Sequence, residues 1–203
     1  QTKVVAVGAA IATYFGINAF VGAVKGAADL ETALSRVQAA TGASAEEMAA
    51  LRAAAEDAGA TTKFTSTEAA GALENLAKAG LNRKDAIATL PAVLALAQAG
   101  DIELATASEY VTKAVMGMGL AFTDAGRVAD VLAKGANATN TSVEGLAQAL
   151  SYAAPVANSL GLSLEATAAI IGKFADAGID ASRAGTALNS ILSQFSDPAS
   201  KFR

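Results

Sequence analysis

Helix-stopping residues punctuate this 203-residue chain roughly every fifteen to twenty positions, and helix-starting residues follow close behind them. Thr41-Gly42 leads into Ser44-Ala45-Glu46-Glu47, a capping box in which the serine oxygen accepts from the amide three residues on and Glu47 reaches back to the serine N–H. Thr65-Ser66-Thr67-Glu68 repeats it, and Thr141 to Glu144 has the same spacing. Gly80 stops a helix and Asn82 caps the next; Thr123-Asp124 and Ser163 mark further starts. Further ends are expected near Gly59, at Gly117 and Gly119, at Pro155 with Gly161, at Gly178 and at Asp197-Pro198. Pro91, inside an apolar stretch, kinks or restarts its helix.

A continuous helix rises about 1.5 Å per residue, so about 200 residues would make a rod of about 300 Å. This chain, halted so often, has to fold back on itself. Between the stops, apolar residues recur at intervals of three and four: Leu30, Leu34 and Val37; Leu104, Val111, Val115 and Met118; Val143, Leu146 and Leu150; Leu188, Ile191, Leu192 and Phe195. Each such stripe needs a partner to cover it. Hydrophobic residues make up 53% of the chain but aromatics only 5%, so the apolar content is largely alanine, the strongest helix former and small enough for close helix packing. No strand is expected. The fold class read from the sequence is all-α, with short to medium alanine-rich helices in hairpins.

Residues 4–24 differ from the rest, with no charge between Lys3 and Lys25 and with Gly8, Ala12 and Gly16 at every fourth position. The run is long enough to cross a bilayer, and its small residues suit close helix pairing. It has two readings: burial against copies of itself, or insertion into a membrane. The division expected is an apolar helical segment over 1–28 and a helical region over 29–203. The chain begins at Gln1, so it is expected to be a piece of a longer product.

Chemistry is narrowed by what the chain lacks. It has no cysteine and no histidine, which removes thiolate nucleophiles, the usual general base and the commonest zinc ligands. The net charge of −4, with no basic stripe, disfavours binding to nucleic-acid phosphates. The carboxylate pairs Glu46-Glu47 and Asp101-Glu103 sit at expected helix starts, where capping and the helix dipole account for them. Gly117-Met118-Gly119 has the glycines of a phosphate loop without the preceding strand. Met116 and Met118 read as core fillers. No catalytic, cofactor-binding or metal-binding residue is assigned, no cofactor is expected, and the chain is not read as an enzyme.

Positions 65–94 echo 163–192 at an offset of 98, with Gly80 opposite Gly178 and Asn82 opposite Asp180. A repeated helix–glycine–helix unit would produce this, and so would any two alanine-rich hairpins.

The stretches FTSTEAAGALENLAKAGL (64–81), LPAVLALAQAG (90–100), VADVLAKGANATNTSVEGLAQAL (128–150) and SLEATAAIIGKFADAGIDASRAGTALNSIL (163–192) together resemble the core region of phage tail tape measure proteins. Each piece alone is ordinary helix; their order and spacing are specific, and the resemblance runs from Asp29 to Pro198. It implies a structural protein of a phage or phage-derived tail, around which the tail tube assembles to a set length and which assists genome delivery. It also implies self-association, usually as a trimer, and contacts with the tail tube protein, tail tip or baseplate proteins and tail assembly chaperones. The expected location is the virion tail, in the tube lumen or at the tip, after assembly in the host cytoplasm. Host membrane contact would run through residues 4–24. The alternative reading is a membrane-active, pore-forming helical protein.

Overall fold

The computed structural model describes residues 24–196. The charge-free run up to residue 23, the Asp197-Pro198 stop and the C-terminal Lys201 and Arg203 lie outside the described residues.

Nine α-helices and no strand occur among the described residues: α1 (24–41), α2 (Ala45–Thr61), α3 (Ser66–Lys78), α4 (Arg83–Gly100), α5 (Leu104–Gly117), α6 (Ala125–Ala138), α7 (Val143–Ser159), α8 (Leu164–Asp176) and α9 (Ala181–Ser196). The all-α expectation holds. A 3₁₀ turn, Phe122–Asp124, precedes α6.

The joints repeat one device. At Gly80-Leu81-Asn82 the glycine turns left-handed (φ 93°), the Leu81 N–H bonds back to the Leu76 carbonyl at 3.1 Å, and the Asn82 oxygen accepts from the Asp85 N–H at 3.0 Å. Only glycine adopts that φ without a Cβ penalty, and the apolar residue after it seals the joint as in a Schellman motif. Gly161-Leu162-Ser163 and Gly178-Ile179-Asp180 follow the same order, with caps onto Ala166 and Arg183. Both expected capping boxes, Ser44/Glu47 and Thr65/Glu68, are formed.

Several expected boundaries move. α2 ends at Thr61, two residues past the glycine near which its end is expected, and a Cβ at Gly59 would lie 2.6 Å from the Ser66 amide, so the glycine also lets the start of α3 cross closely. Pro91 and Pro155 leave α4 and α7 unbroken; both face solvent, where water can satisfy the carbonyls they leave unpaired. Asp124 makes no side-chain cap; the 3₁₀ turn leaves its backbone at φ −86°, ψ 1°, away from the extended conformation a capping residue adopts. The cap of α7 is Ser142 and not Thr141, and Glu144 accepts from the Tyr110 hydroxyl.

Packing follows a simple rule. From α2 on, each helix touches the next one and the next but one, and α1 meets α2 through Glu31–Arg52 and α3 through Arg36–Glu74, which sorts the helices into two rows. Row A holds α1, α3, α5, α7 and α9; row B holds α2, α4, α6 and α8. Row A helices start at Ser66, Leu104, Val143 and Ala181, in steps of 38, 39 and 38 residues. Row B helices start at Ala45, Arg83, Ala125 and Leu164, in steps of 38, 42 and 39, the long step containing the 3₁₀ turn. This is an α-solenoid: a stack of hairpins in which each unit covers its neighbour. One continuous apolar slab, from Ala33 to Leu192, lies between the rows.

The echo at offset 98 acquires a physical meaning here. It is two and a half periods, so it maps the hairpin α3–α4 onto α8–α9 with the rows exchanged. Both α3 and α8 are thirteen residues long, and both are capped and stopped at matching positions. The echo reports shared hairpin chemistry, while the structural repeat is 38–39 residues.

Candidate functional site

Three ion pairs between neighbouring units share the period. Arg36 on α1 meets Glu74 on α3 at 3.0 Å, Lys63 meets Asp101 at 3.5 Å, and Arg127 on α6 makes two bonds to Glu165 on α8 at 2.6 and 2.8 Å. Each pair is 38 residues apart, one step of the stack. Side chains at equivalent positions of adjacent units lie side by side, so a cation in one unit finds an anion in the next.

Glu74 is the most buried of these, with its side chain 12% exposed. Lys78, one turn on at 2.6 Å, and Arg36 together hold its carboxyl below the usual range despite the opposing effect of burial. The lowered folded value means that this stability is complete above about pH 4.5 and is lost as pH falls through the folded value. Glu74→Gln is expected to cost about 1.5–3 kcal/mol, near the lower end because Arg36 and Lys78 can return to water. It should also flatten the acid limb of a stability–pH curve measured by chemical unfolding; an unchanged limb would count against the pairing.

The remaining shifted acids tell the same story. Arg127 lowers Glu165 to about 2. The Ser44 N–H lowers Glu47, the Asn140 N–H and Lys173 lower Asp176, and the Arg183 N–H lowers Asp180. Every one is held ionised by a cap or a cation, the opposite of what a general acid requires. Tyr110 is raised, by burial first and then by Glu144.

Grooves run between neighbouring helices. One of about 420 Å³ lies between α3 and α5, over Gly71, Ala72 and Ala105, with Lys63, Glu68, Asp101 and Glu103 at its edge. Two of its three acids have partners: Glu68 serves the Thr65 cap, and Asp101 sits beside Lys63. Asp101 closes α4 in a left-handed conformation (φ 48°) and is not at a helix start, whereas Glu103 stands at the N-cap position of α5 as expected but makes no side-chain cap bond. A second groove, about 440 Å³ and mostly apolar, lies between α2 and α4 along Ile87, Pro91 and Leu94.

Among the described residues, no group of three or more acids could hold a metal ion. No single described helix is long and apolar enough to cross a membrane; α4 and α5 pass that test only together, as a pair bent by 116°. Met118 is buried as expected, but Met116 is 62% exposed and fills no core gap. Reading for motifs missed the cross-unit pairs, because neither partner is unusual alone. Their signal is the constant separation of 38, visible only when the sequence is compared with itself at short offsets.

Residues 52–203 match the family model described as phage-related minor tail protein. The chain is similar to the tape measure protein of Pneumococcus phage Dp-1, at 45% identity over 170 residues that are 84% of this chain and 15% of that protein. It is also similar to the probable tape measure protein of Escherichia phage P2, at 38% identity over 159 residues, 76% of this chain and 19% of that protein. The chain therefore spans less than a fifth of the length of these curated relatives. No solved structure matches it. The described helices stack as hairpins, one family model matches three quarters of the chain, and two relatives share 45% and 38% identity with it: the chain belongs to the phage-related minor tail protein family, the tape measure family expected from its sequence.

Proposed function

We propose that this region is a folded, non-enzymatic module of a tail tape measure protein, and that the length-setting stretch lies elsewhere in the same polypeptide. The two-row stack carries this reading. Row A gains one helix per period, and packed helices lie about 8–10 Å apart, so 39 residues of stack advance about 8–10 Å. The same 39 residues in a continuous helix would advance about 59 Å. A stack is thus about six times less effective as a ruler than a rod. Its value is a broad, rigid surface made of two helix rows and the grooves between them.

That surface suits contacts with further copies of the chain, the tail tube protein, tip or baseplate proteins and tail assembly chaperones, within the tube lumen or at the tip. Such contacts would form in the host cytoplasm during assembly and persist in the virion tail. The apolar segment 1–28 would serve self-association, or host membrane contact through residues 4–24 at genome delivery, with 29–203 as the stacked module.

Deleting one period tests the length claim. Removing 104–142 joins Glu103 to Val143, so that α7 takes the place of α5. In phage carrying this deletion, electron microscopy is expected to show tails shortened by no more than about 10 Å. Removing 39 residues from a continuous helical stretch of the same protein should shorten them by about 59 Å. Tails shortened by about 59 Å in the first case would refute the proposal.

A further inference from the structure

The sequence places Ile191 and Phe195 on the inward stripe of the last helix beside Leu188 and Leu192. The structure separates them. Leu188 and Leu192 are buried, whereas Ile191 is 42% exposed and Phe195 58%. With the half-buried Ala187 they form a stripe at intervals of four on the open side of α9.

The 38–39-residue register identifies this stripe. One period back, Ala187, Ile191 and Phe195 fall on Ala149, Ala153 and Ala157 of α7, all fully buried. One further back, the last two fall on Ala114 and Met118 of α5, also buried. On α7 this is the side that receives α9: a Cβ at Gly185 would lie 2.5 Å from the Ala149 carbonyl oxygen, and the Asn189 side chain donates to the Tyr152 carbonyl at 2.8 Å. The open stripe of α9 is therefore the same face, one unit further along.

We propose that this face is an internal joint of a longer solenoid, covered by the next row A helix of a further hairpin from the same polypeptide. The curated relatives are long enough to supply it, since the matched region is 15% and 19% of their length. A second copy stacked head to tail is a poorer fit. The exposed positions of α1 at the other end include Glu31, Thr32, Ser35 and Gln38, a polar surface to set against Ile191 and Phe195. This inference is independent of where the ruler lies.

Hydrogen exchange on the full-length protein tests it. Ile191→Asp combined with Phe195→Asp is expected to lower the protection of α9 amides by at least about tenfold, because two charges would enter a covered apolar joint. Ser190→Asp is the control. Ser190 is equivalent to Tyr152, which is 47% exposed, so its protection should stay within about twofold. In the 203-residue chain, which lacks the further hairpin, the double variant should also stay within about twofold, which separates loss of the joint from misfolding. Unchanged protection in the full-length double variant would overturn the proposal. So would an equal loss in both chains. Protection of wild-type α9 that rises with protein concentration would identify a second copy as the cover and overturn it as well.

Discussion

Gly185→Leu is expected to pry α9 off α7 at a cost of about 3 kcal/mol, the upper part of the usual range for overpacking. Even a methyl group there would lie 2.5 Å from the Ala149 carbonyl oxygen and 2.8 Å from its Cα. These are backbone atoms of a buried helix, so no rotamer change relieves the clash. At this chain length about 3 kcal/mol corresponds to a fall in melting temperature of about 6–12 °C. In a stack with nearest-neighbour coupling the damage should be local. Hydrogen exchange should show α9 losing protection while α2 to α4 keep theirs. Gly71 supplies the opposite case: a Cβ there meets nothing within 4 Å, and the residue sits inside α3. Gly71→Ala should stabilise by about 0.8–1.0 kcal/mol, the helix-propensity gain alone. Equal effects of the two substitutions would show that propensity, and not close approach, governs Gly185.

Leu146→Ala should be the most damaging single truncation in the middle of the stack, costing about 3–5 kcal/mol. Leu146 is fully buried near the start of α7, and a Cβ built on Gly135 of α6 would lie 2.7 Å from its Cδ2. The bare backbone at Gly135 thus makes the groove that the leucine fills, and truncation leaves a cavity between two successive units. Chemical unfolding should lose its single transition and separate into two, with α2–α5 and α7–α9 melting apart. Adding Gly135→Ala to Leu146→Ala should restore part of the loss, because the new methyl group occupies the vacated space. A single transition at the wild-type midpoint would contradict this account of the joint.

Much of the architecture is legible in the chain. The order of glycine, apolar residue and polar cap is local chemistry, and Gly80-Leu81-Asn82 could be read as stop and restart without knowing what surrounds it. Stripes such as Val111, Val115 and Met118 likewise show which side of a helix turns inward. Pro155 misled as a break and Pro91 as a restart, because the effect of a proline depends on whether the carbonyl it frees meets water or protein. At Gly59 the nearby helix end was legible but the close crossing by Ser66 was not, because a glycine that ends a helix and one that lets a neighbour approach look the same in sequence. Of the candidate surface, the sequence contains every charged partner but none of the pairing, since the whole of α2 lies between Arg36 and Glu74.

Alone, the sequence determined that the chain is helical, where most helices begin and end, and that no cysteine or histidine chemistry is available, because capping, left-handed glycines and residue identity act within a few positions. Only the tertiary structure decided that the hairpins stack in two rows at a 38–39-residue step. It alone separated Ile191 and Phe195, left open, from Leu188 and Leu192, buried. Both outcomes depend on which neighbour covers a given stripe, and a helix can carry a second apolar face whose partner is specified only by the rest of the stack.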